Sequence, residues 1–351
     1  MPNLCVARAL VPSFSRVDSD EERKHYRSQL LRLWKVPKRL SSRDGFFPAC
    51  NPKSVARANL SSLHSHPYLV SHKSDGVRYI LLLTLRPKVE KGAADQPVAL
   101  MIDRAYNMFE VEVVAHEDFF VAGTILEGEL VWKQPDEKSF LYLVFDAILV
   151  RGEHLMHRPF EARLAAASSC IHLSEELSAL TGEELEQQAV AEGSVVLCHY
   201  NPSVRMRMKK FVPKEFAVRL WGERGEAEHR VDGLILQRSD SEYVFGTAND
   251  GSVFKWKEHS TVDLQGFDFR AADGAFSDIS FPTTVATDSR IQPLHDADVI
   301  EYLVQGSRSD VRLFAVRRRP DKKLANGMRV VNATIQDAVV DFVRVEELSQ
   351  S

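Results

Sequence analysis

His72-Lys73-Ser74-Asp75-Gly76-Val77-Arg78, running directly into the apolar stretch Tyr79–Leu85, decides how this chain is read. Asp-Gly is a tight-turn pair, because Asp bonds its own backbone and Gly accepts angles that other residues avoid. A lysine at such a turn, beside a strand, is held with its amine aimed in one direction. Free lysine, with a pKa of about 10.4, is protonated at neutral pH. Nucleophilic lysine chemistry therefore needs burial or neighbouring cations to free the electron pair. Arg78 supplies a second cation for the same anion. Taken alone, the string also fits an ordinary turn with two surface cations.

Strand signals surround it. Tyr79–Leu85, Val98–Asp103, Phe109–Val114, Ile125–Trp132 and Phe140–Val150 are rich in β-branched, aromatic and leucine residues, and Lys91–Gln96 reads as a hairpin loop. Val195–His199, Leu234–Gln237, Tyr243–Phe245 and Val253–Lys257 are further strands. Glu21–Lys35 reads as an amphipathic helix, with Tyr26, Leu30, Leu33 and Trp34 on one face, ending before Pro37. Arg158–Leu173 and Ser174–Ala191 also read as helices, the second opening on a capping serine and two glutamates. Phe267–Pro282 marks a passage to a second unit. That unit has strands near Val299–Gln305 and Val311–Arg317 and a helical tail from Ala333 to about Glu347.

A chain of 351 residues suits two domains. No apolar run reaches the roughly 18 residues needed to span a bilayer, and Met1–Val11 does not read as a secretory signal. Four scattered cysteines without a CxxC pair argue against a zinc site or a disulfide framework. Of the histidines, only His64/His66 and His154/His157 are close together, and neither pair has a third ligand at suitable spacing. The net charge of -4 hides an asymmetry: Met1–Leu60 carries 12 Lys/Arg against 5 Asp/Glu, and the remainder 33 against 44. Basic groups gather at Arg23–Arg43, Arg205–Lys214 and Arg317–Lys323, while Leu164–Val204 has six glutamates and no Lys or Arg. Local basic patches bind phosphates even under a negative total charge.

Lys73-Ser-Asp-Gly-Val-Arg78 resembles motif I of the covalent nucleotidyltransferases, which comprise mRNA capping enzymes, ATP-dependent DNA ligases and RNA ligases. The other motifs follow in order. Thr124-Ile-Leu-Glu127-Gly128-Glu129-Leu130-Val131 is similar to motif III, Tyr142-Leu-Val-Phe145-Asp146-Ala147 to motif IIIa, and Val231-Asp232-Gly233-Leu234-Ile235 to motif IV. Phe254-Lys255-Trp256-Lys257 is similar to motif V, and Arg317-Arg-Arg319-Pro-Asp321-Lys322-Lys-Leu-Ala-Asn326 to motif VI. Within that superfamily, the resemblance to mRNA guanylyltransferases rests on three further segments. They are Lys255-Trp-Lys257 continuing to Ser260-Thr-Val-Asp263-Leu264, Met101-Ile102-Asp103-Arg104 with Asn107-Met-Phe109, and Phe47-Pro48-Ala-Cys-Asn-Pro52-Lys-Ser54. The chain departs from the family pattern at Glu127, usually Asp, and at Ala325, usually Pro.

Alone, Glu129 and Asp232 are acids beside glycine, able to hold a divalent cation or ribose hydroxyls, or simply turn acids. Strand alternation puts Lys255 and Lys257 on one face and Trp256 on the other. Phe145 is either core or a stacking platform.

The resemblance implies an α+β fold: a nucleotidyltransferase domain of ATP-grasp-like antiparallel sheets with helices over 1–262, then an oligonucleotide-binding (OB) fold β-barrel with motif VI and a C-terminal helix over 263–351. It implies guanylyltransferase activity, with Lys73 attacking the α-phosphate of GTP and passing GMP to a 5′-diphosphate RNA end. Arg78, Arg104, Glu129, Phe145, Lys209 (with Arg207 the rival), Asp232, Lys255, Lys257, Arg319, Asp321 and Lys322 would bind the nucleotide. Glu129 and Asp232 would hold Mg²⁺ or Mn²⁺. Implied partners are nascent mRNA and an RNA triphosphatase, cap methyltransferase or RNA polymerase II tail, with no membrane. The implied location is the nucleus, or the cytoplasm for a viral enzyme. The alternatives are an ATP-dependent RNA or DNA ligase forming lysyl-AMP, and a catalytically silent RNA-binding or scaffold module.

Overall fold

The computed structural model describes residues 15–43, 45–87, 96–111, 115, 117–134, 139–171, 204–265, 279–286, 298–320, 322 and 324–350. In it the apolar run after Lys73 lies inside an eight-stranded sheet. The strand order is β1 (Ser15–Arg16), β6 (Met108–Val111), β5 (Pro97–Asp103), β4 (Val77–Leu85), β7 (Thr124–Trp132), β8 (Phe140–Val150) and β10 (Val204–Met208), with β9 (Glu153–His154) pairing β8. The pairs are antiparallel except β8 with β10, which run parallel. Successive side chains of β4 enter different cores. Tyr79, Leu81 and Leu83 pack with Phe119, Ala167 and Met206. Ile80 and Leu82 pack with Tyr26, Leu30 and Trp34. Burial on both faces explains why this antiparallel strand is continuously apolar, and each fully buried leucine or isoleucine contributes about 1.5–3 kcal/mol.

The helix expected at Glu21–Lys35 is α1 (Asp20–Leu33), whose N-cap Ser19 accepts a hydrogen bond from Glu22 N at 3.3 Å. Acids fill its first turn and Arg32 its last, matching the helix dipole.

A five-stranded sheet runs β11 (Val212–Pro213), β3 (Tyr68–Ser74), β12 (Val231–Arg238), β13 (Val253–Trp256) and β2 (Lys53–Ser54). Lys73 therefore lies inside a strand, two residues before the Asp75-Gly76 turn.

The chain divides into two compact units, 1–53 with 67–254, and 54–66 with 255–351. The sequence boundary at 262/263 thus differs from the observed one, which falls within β13. The second unit also takes a segment distant in sequence, because Val55 N bonds Lys255 O at 2.9 Å and Arg57 pairs with Glu347 at 3.0 Å. No composition shift marks such a contact. The second unit holds a four-stranded sheet, β14 (Thr261–Gln265), β16 (Val299–Ser307), β17 (Asp310–Arg318) and β15 (Thr283–Ala286), the last pairing parallel to β17. Among the described residues these strands do not close into the expected barrel. Helix α2 (Met328–Val339) buries Val331 and Ile335 against the sheet's Val262, Leu264 and Tyr302.

Two other readings need correction. Tyr243–Phe245 is not a strand; its aromatic rings pack on Trp34, at 5.8 and 6.4 Å between centroids, without a ladder partner. The tail is two helices, α2 and α3 (Val345–Leu348): the first ends at Val339, where the N–H groups of Val340 and Asp341 both bond Gln336 O and Gln336 Nε2 donates to Asp341 Oδ2 at 2.9 Å. The expected helix Ser174–Ala191 and strand Val195–His199 lie outside the described residues, as does the hairpin loop apart from Gln96.

Candidate active site

A cavity of about 340 Å³ opens in the first unit, bordered by β3 and β12 of the five-stranded sheet and by β4, β7 and β8 of the larger one. Alternation supplies its walls: Ser71 and Lys73 from β3, and Ile235 and Gln237 from β12. A register shift between Val231 and Gly233 leaves Asp232 as the bulged residue opposite Lys73. Bulges re-aim side chains, and Asp232 Oδ1 accepts from Lys73 Nζ at 2.7 Å. A second shift, between Glu127/Gly128 and Asp146/Val144, leaves Phe145 unpaired. Consecutive residues Phe145 and Asp146 therefore both line the cavity. Phe145 is half-buried within an otherwise buried stretch, Phe140–Leu149. Arg78 lies 5.2 Å and the Lys209 amine 5.8 Å from its ring centroid.

Two glycines are fixed by close approach. A Cβ on Gly76 would sit 2.5 Å from Leu130 O and 2.9 Å from Glu129 Cγ, and one on Gly128 would sit 2.5 Å from the Tyr142 ring. Gly128 thus lets β7 lie on Tyr142 while Glu127 and Glu129 point together into the cavity.

Polar groups pair across this space. Glu129 Oε2 accepts from Lys209 Nζ at 3.0 Å, and Glu127 Oε1 from Arg78 Nη2 at 2.7 Å. Glu127 is fully buried, and burial pushes its carboxyl up, with Arg78 and the Tyr243 hydroxyl, 2.8 Å away, opposing the shift. Burial alone would lower the Arg78 value, but Glu127 more than offsets it and holds the guanidinium firmly charged. Arg78 also donates to Cys50 O, and Tyr243 Oη accepts from Cys50 N at 2.9 Å, closing a ring of four groups. Arg163 holds Asp146 in a buried two-point pair at 2.8 and 3.0 Å. Arg104 donates to Asn51 at 2.9 Å on the cavity wall.

Of the sequence-derived residues, Lys73, Arg78, Arg104, Glu129, Phe145 and Lys209 line this cavity, and Asp232 touches Lys73. Arg207, the rival of Lys209, pairs with Glu228 and does not line it. Lys255 and Lys257 belong to the second unit, where they border a smaller cavity of about 140 Å³ with Thr334 and Asp337. There Phe254 and Trp256 are buried and the two lysines half-exposed, as alternation requires. Arg319 and Lys322, also in the second unit, both bond Asp263, the former at 3.3 Å. Asp321 lies outside the described residues. Tyr243, Asn51, Gln237 and Arg163 also line the cavity, without having been expected there as site residues. The available signals were two aromatics that break strand alternation and an arginine inside an apolar helix, Phe160–Cys170.

Among the described residues, no three carboxylate, histidine or cysteine side chains cluster as a protein-only metal cage. The hard oxygens of Glu129 and Asp232 nevertheless fit Mg²⁺ or Mn²⁺, since Mg²⁺ usually takes one or two carboxylates, with substrate phosphates and waters completing its shell. No described helix is long and apolar enough to cross a membrane.

Residues 10–259 match the family described as mRNA capping enzyme, catalytic domain. The mRNA-capping enzyme subunit alpha of Schizosaccharomyces pombe is 28% identical over 243 residues, covering 66% of this chain and 56% of that protein. The mRNA-capping enzyme of Caenorhabditis elegans is 24% identical over 318 residues, covering 84% and 47%. The chain thus spans about half the length of these relatives. A solved mycobacterial DNA ligase D, complexed with ATP and MES, aligns at TM-score 0.41 and 15% identity over 80% of this chain and 97% of that one.

Proposed function

The chain belongs to the mRNA capping enzyme catalytic-domain family, and on that premise we propose that it is an mRNA guanylyltransferase working through a lysyl-GMP intermediate. The observation that carries this reading is Lys73: its amine enters the cavity beside Asp232, facing a half-exposed Phe145 flanked by cations. Phe145 offers a stacking face for the purine, Lys209 reads the guanine, and Arg78, Arg104 and Glu129 hold the ribose and phosphate.

Lys73 gives up a proton and attacks the α-phosphorus of GTP. An N–P bond forms, the bond to the β-phosphate oxygen breaks, and pyrophosphate leaves. Asp232 Oδ1 is placed to accept the proton. In the second step, a terminal phosphate oxygen of 5′-diphosphate RNA attacks the same phosphorus, the N–P bond breaks as Asp232 returns its proton to the leaving nitrogen, and the lysine amine is restored, leaving a GpppN end. Phosphoryl transfer asks mainly for positioning and neutralised charge. A Mg²⁺ or Mn²⁺ bound by Glu129 and Asp232 would neutralise phosphate charge.

The reading extends to the second unit as an OB-fold, supported by the antiparallel run β14–β16–β17 and the cations after β17. Lys255 and Lys257 would bind the α-phosphate, and Arg319, Asp321 and Lys322 would orient the departing pyrophosphate. That assignment requires the units to close for the first step and open to admit RNA. Nascent mRNA is the acceptor, an RNA triphosphatase, cap methyltransferase and polymerase tail are its partners, and the nucleus its place, or the cytoplasm for a viral enzyme.

The test is incubation with α-labelled GTP or ATP and Mg²⁺, then denaturing electrophoresis. Label retained from GTP is the expected result. Label retained only from ATP would make the chain a ligase, and label from neither a silent binding module.

A further inference from the structure

The strongest charge asymmetry in the chain lies outside the cavity. Arg23–Arg43 contains eight Lys/Arg residues and no Asp or Glu. On α1 the buried residues Tyr26, Leu30 and, just beyond its end, Trp34 occupy one side. Lys24, Arg32 and Lys35 fall on the opposite side at 3.6-residue periodicity, and Arg27 stands at the flank between the two. Lys24, Arg32, Lys35, Lys38, Arg39 and Arg43 are exposed. Among the described residues none of these six has an ion pair with a carboxylate; Arg23, which pairs with Asp20, is the member of the segment that does. A solvated helix face ordinarily intersperses acids at i+3 or i+4, which offset like-charge repulsion. Asp20 and Glu21 offset Lys24 in this way, but from Arg27 to Arg39 no acid stands within four residues of any cation, and there the repulsion is left for a ligand to relieve.

This face is joined to the cavity. The Arg27 guanidinium lies 4.4 Å above the Tyr106 ring, and Tyr106 Oη donates to Phe46 O at 2.7 Å. Two residues before Tyr106, Arg104 bonds Asn51, and both line the cavity. The 14 residues of α1 extend about 21 Å. At about 3.4 Å of rise per phosphate in a stacked strand, that length serves about six phosphates.

We propose that the Arg23–Arg43 face binds the phosphate backbone of a single-stranded RNA whose 5′ end enters the cavity. The strand's place as acceptor rests on the guanylyltransferase reading; its binding to this face does not. A line of separated cations suits a polyanionic strand, whereas recognition of a phosphorylated peptide calls for arginines clustered around one phosphate.

The experiment measures anisotropy of a 3′-labelled 5′-diphosphate RNA of about 20 nucleotides across a salt series. It compares the unaltered chain, Lys24→Gln/Arg32→Gln/Arg39→Gln, and a control with the same charge loss at exposed second-unit positions, Arg308→Gln/Arg312→Gln/Arg329→Gln. Each lost phosphate contact lowers the slope of log affinity against log salt by about 0.7, so the helix variant should lose about 2 in slope and about tenfold or more in affinity. The control should lose neither, and GTP adduct formation should be equal in all three. Equal losses in both variants, or none in the helix variant, would overturn the proposal. So would a phosphoserine peptide that displaces RNA of equal charge at lower concentration. Absence of adduct from the unaltered chain would defeat the guanylyltransferase reading alone, because the slopes read RNA binding directly.

Discussion

In the first unit, cations and carboxylates pair across open space: Lys73 with Asp232, Lys209 with Glu129, Arg78 with Glu127. In the second, Arg319 and Lys322 converge on one carboxylate, Asp263, which is only 6% exposed. The first set lies within the family match at 10–259 and, Asp232 apart, lines the large cavity; the second lies beyond that match and lines none of it. Cations alone do not mark a site; what they are bonded to, and whether space faces the bond, does. Under the proposed function, the first arrangement exchanges a carboxylate for a phosphate, and the second must release Asp263 before it acts on a nucleotide.

The harshest way to break that contrast is Lys73→Arg. Charge persists, but a guanidinium with a pKa above about 12 offers no free electron pair. The expected outcome is no covalent adduct, with GTP still bound by equilibrium dialysis. Lys322→Ala probes the second unit. Losing a charged transition-state contact should slow adduct formation by a factor on the order of 10², while discharge of preformed adduct onto RNA changes much less. Equal damage to both steps, followed by timed quench, would mean that motif VI binds RNA or merely supports the fold.

Glu127→Gln addresses stability. The remaining Arg78 guanidinium would keep its site without a counter-charge, costing about 3 kcal/mol, the low end for a broken buried pair because part of Arg78 faces the cavity. Calorimetry should show a melting transition lowered by roughly 6–12 °C, and an unchanged transition would show that the pair is not held as described.

The smallest effect concerns His229, whose Nε2 lies 2.9 Å from Ser74 Oγ. Burial, with Lys209 and His72 nearby, pushes its value down to about 4. As pH falls below about 6.5, the unfolded chain takes up this proton first. Stability is therefore highest above that pH, declines toward about 4 and then levels off. His229→Gln should flatten the melting temperature between pH 7 and 5 by a few degrees.

The sequence made the strands legible where burial is two-sided, as at Tyr79–Leu85, and the site legible where motif residues share a strand. It left Tyr243 looking like a strand residue, because aromatic enrichment reports burial beneath Trp34 as readily as ladder pairing. It gave no hint that Asp232 and Phe145 stand at bulges, since a one-residue register shift depends on both strands at once. The membership of 54–66 in the second unit was equally hidden, because it is set by contacts with residues 255 and 347, about 200 to 290 positions away. Motif VI could be read as residues, but its engagement with Asp263 could not.

The most direct measurement of the central claim is peptide mapping of the GTP-labelled chain by mass spectrometry under alkaline conditions that preserve a phosphoramidate. The account predicts GMP on Lys73 alone. Modification at Lys209, Lys255 or Lys257, or an intact adduct on Lys73→Arg, would contradict it.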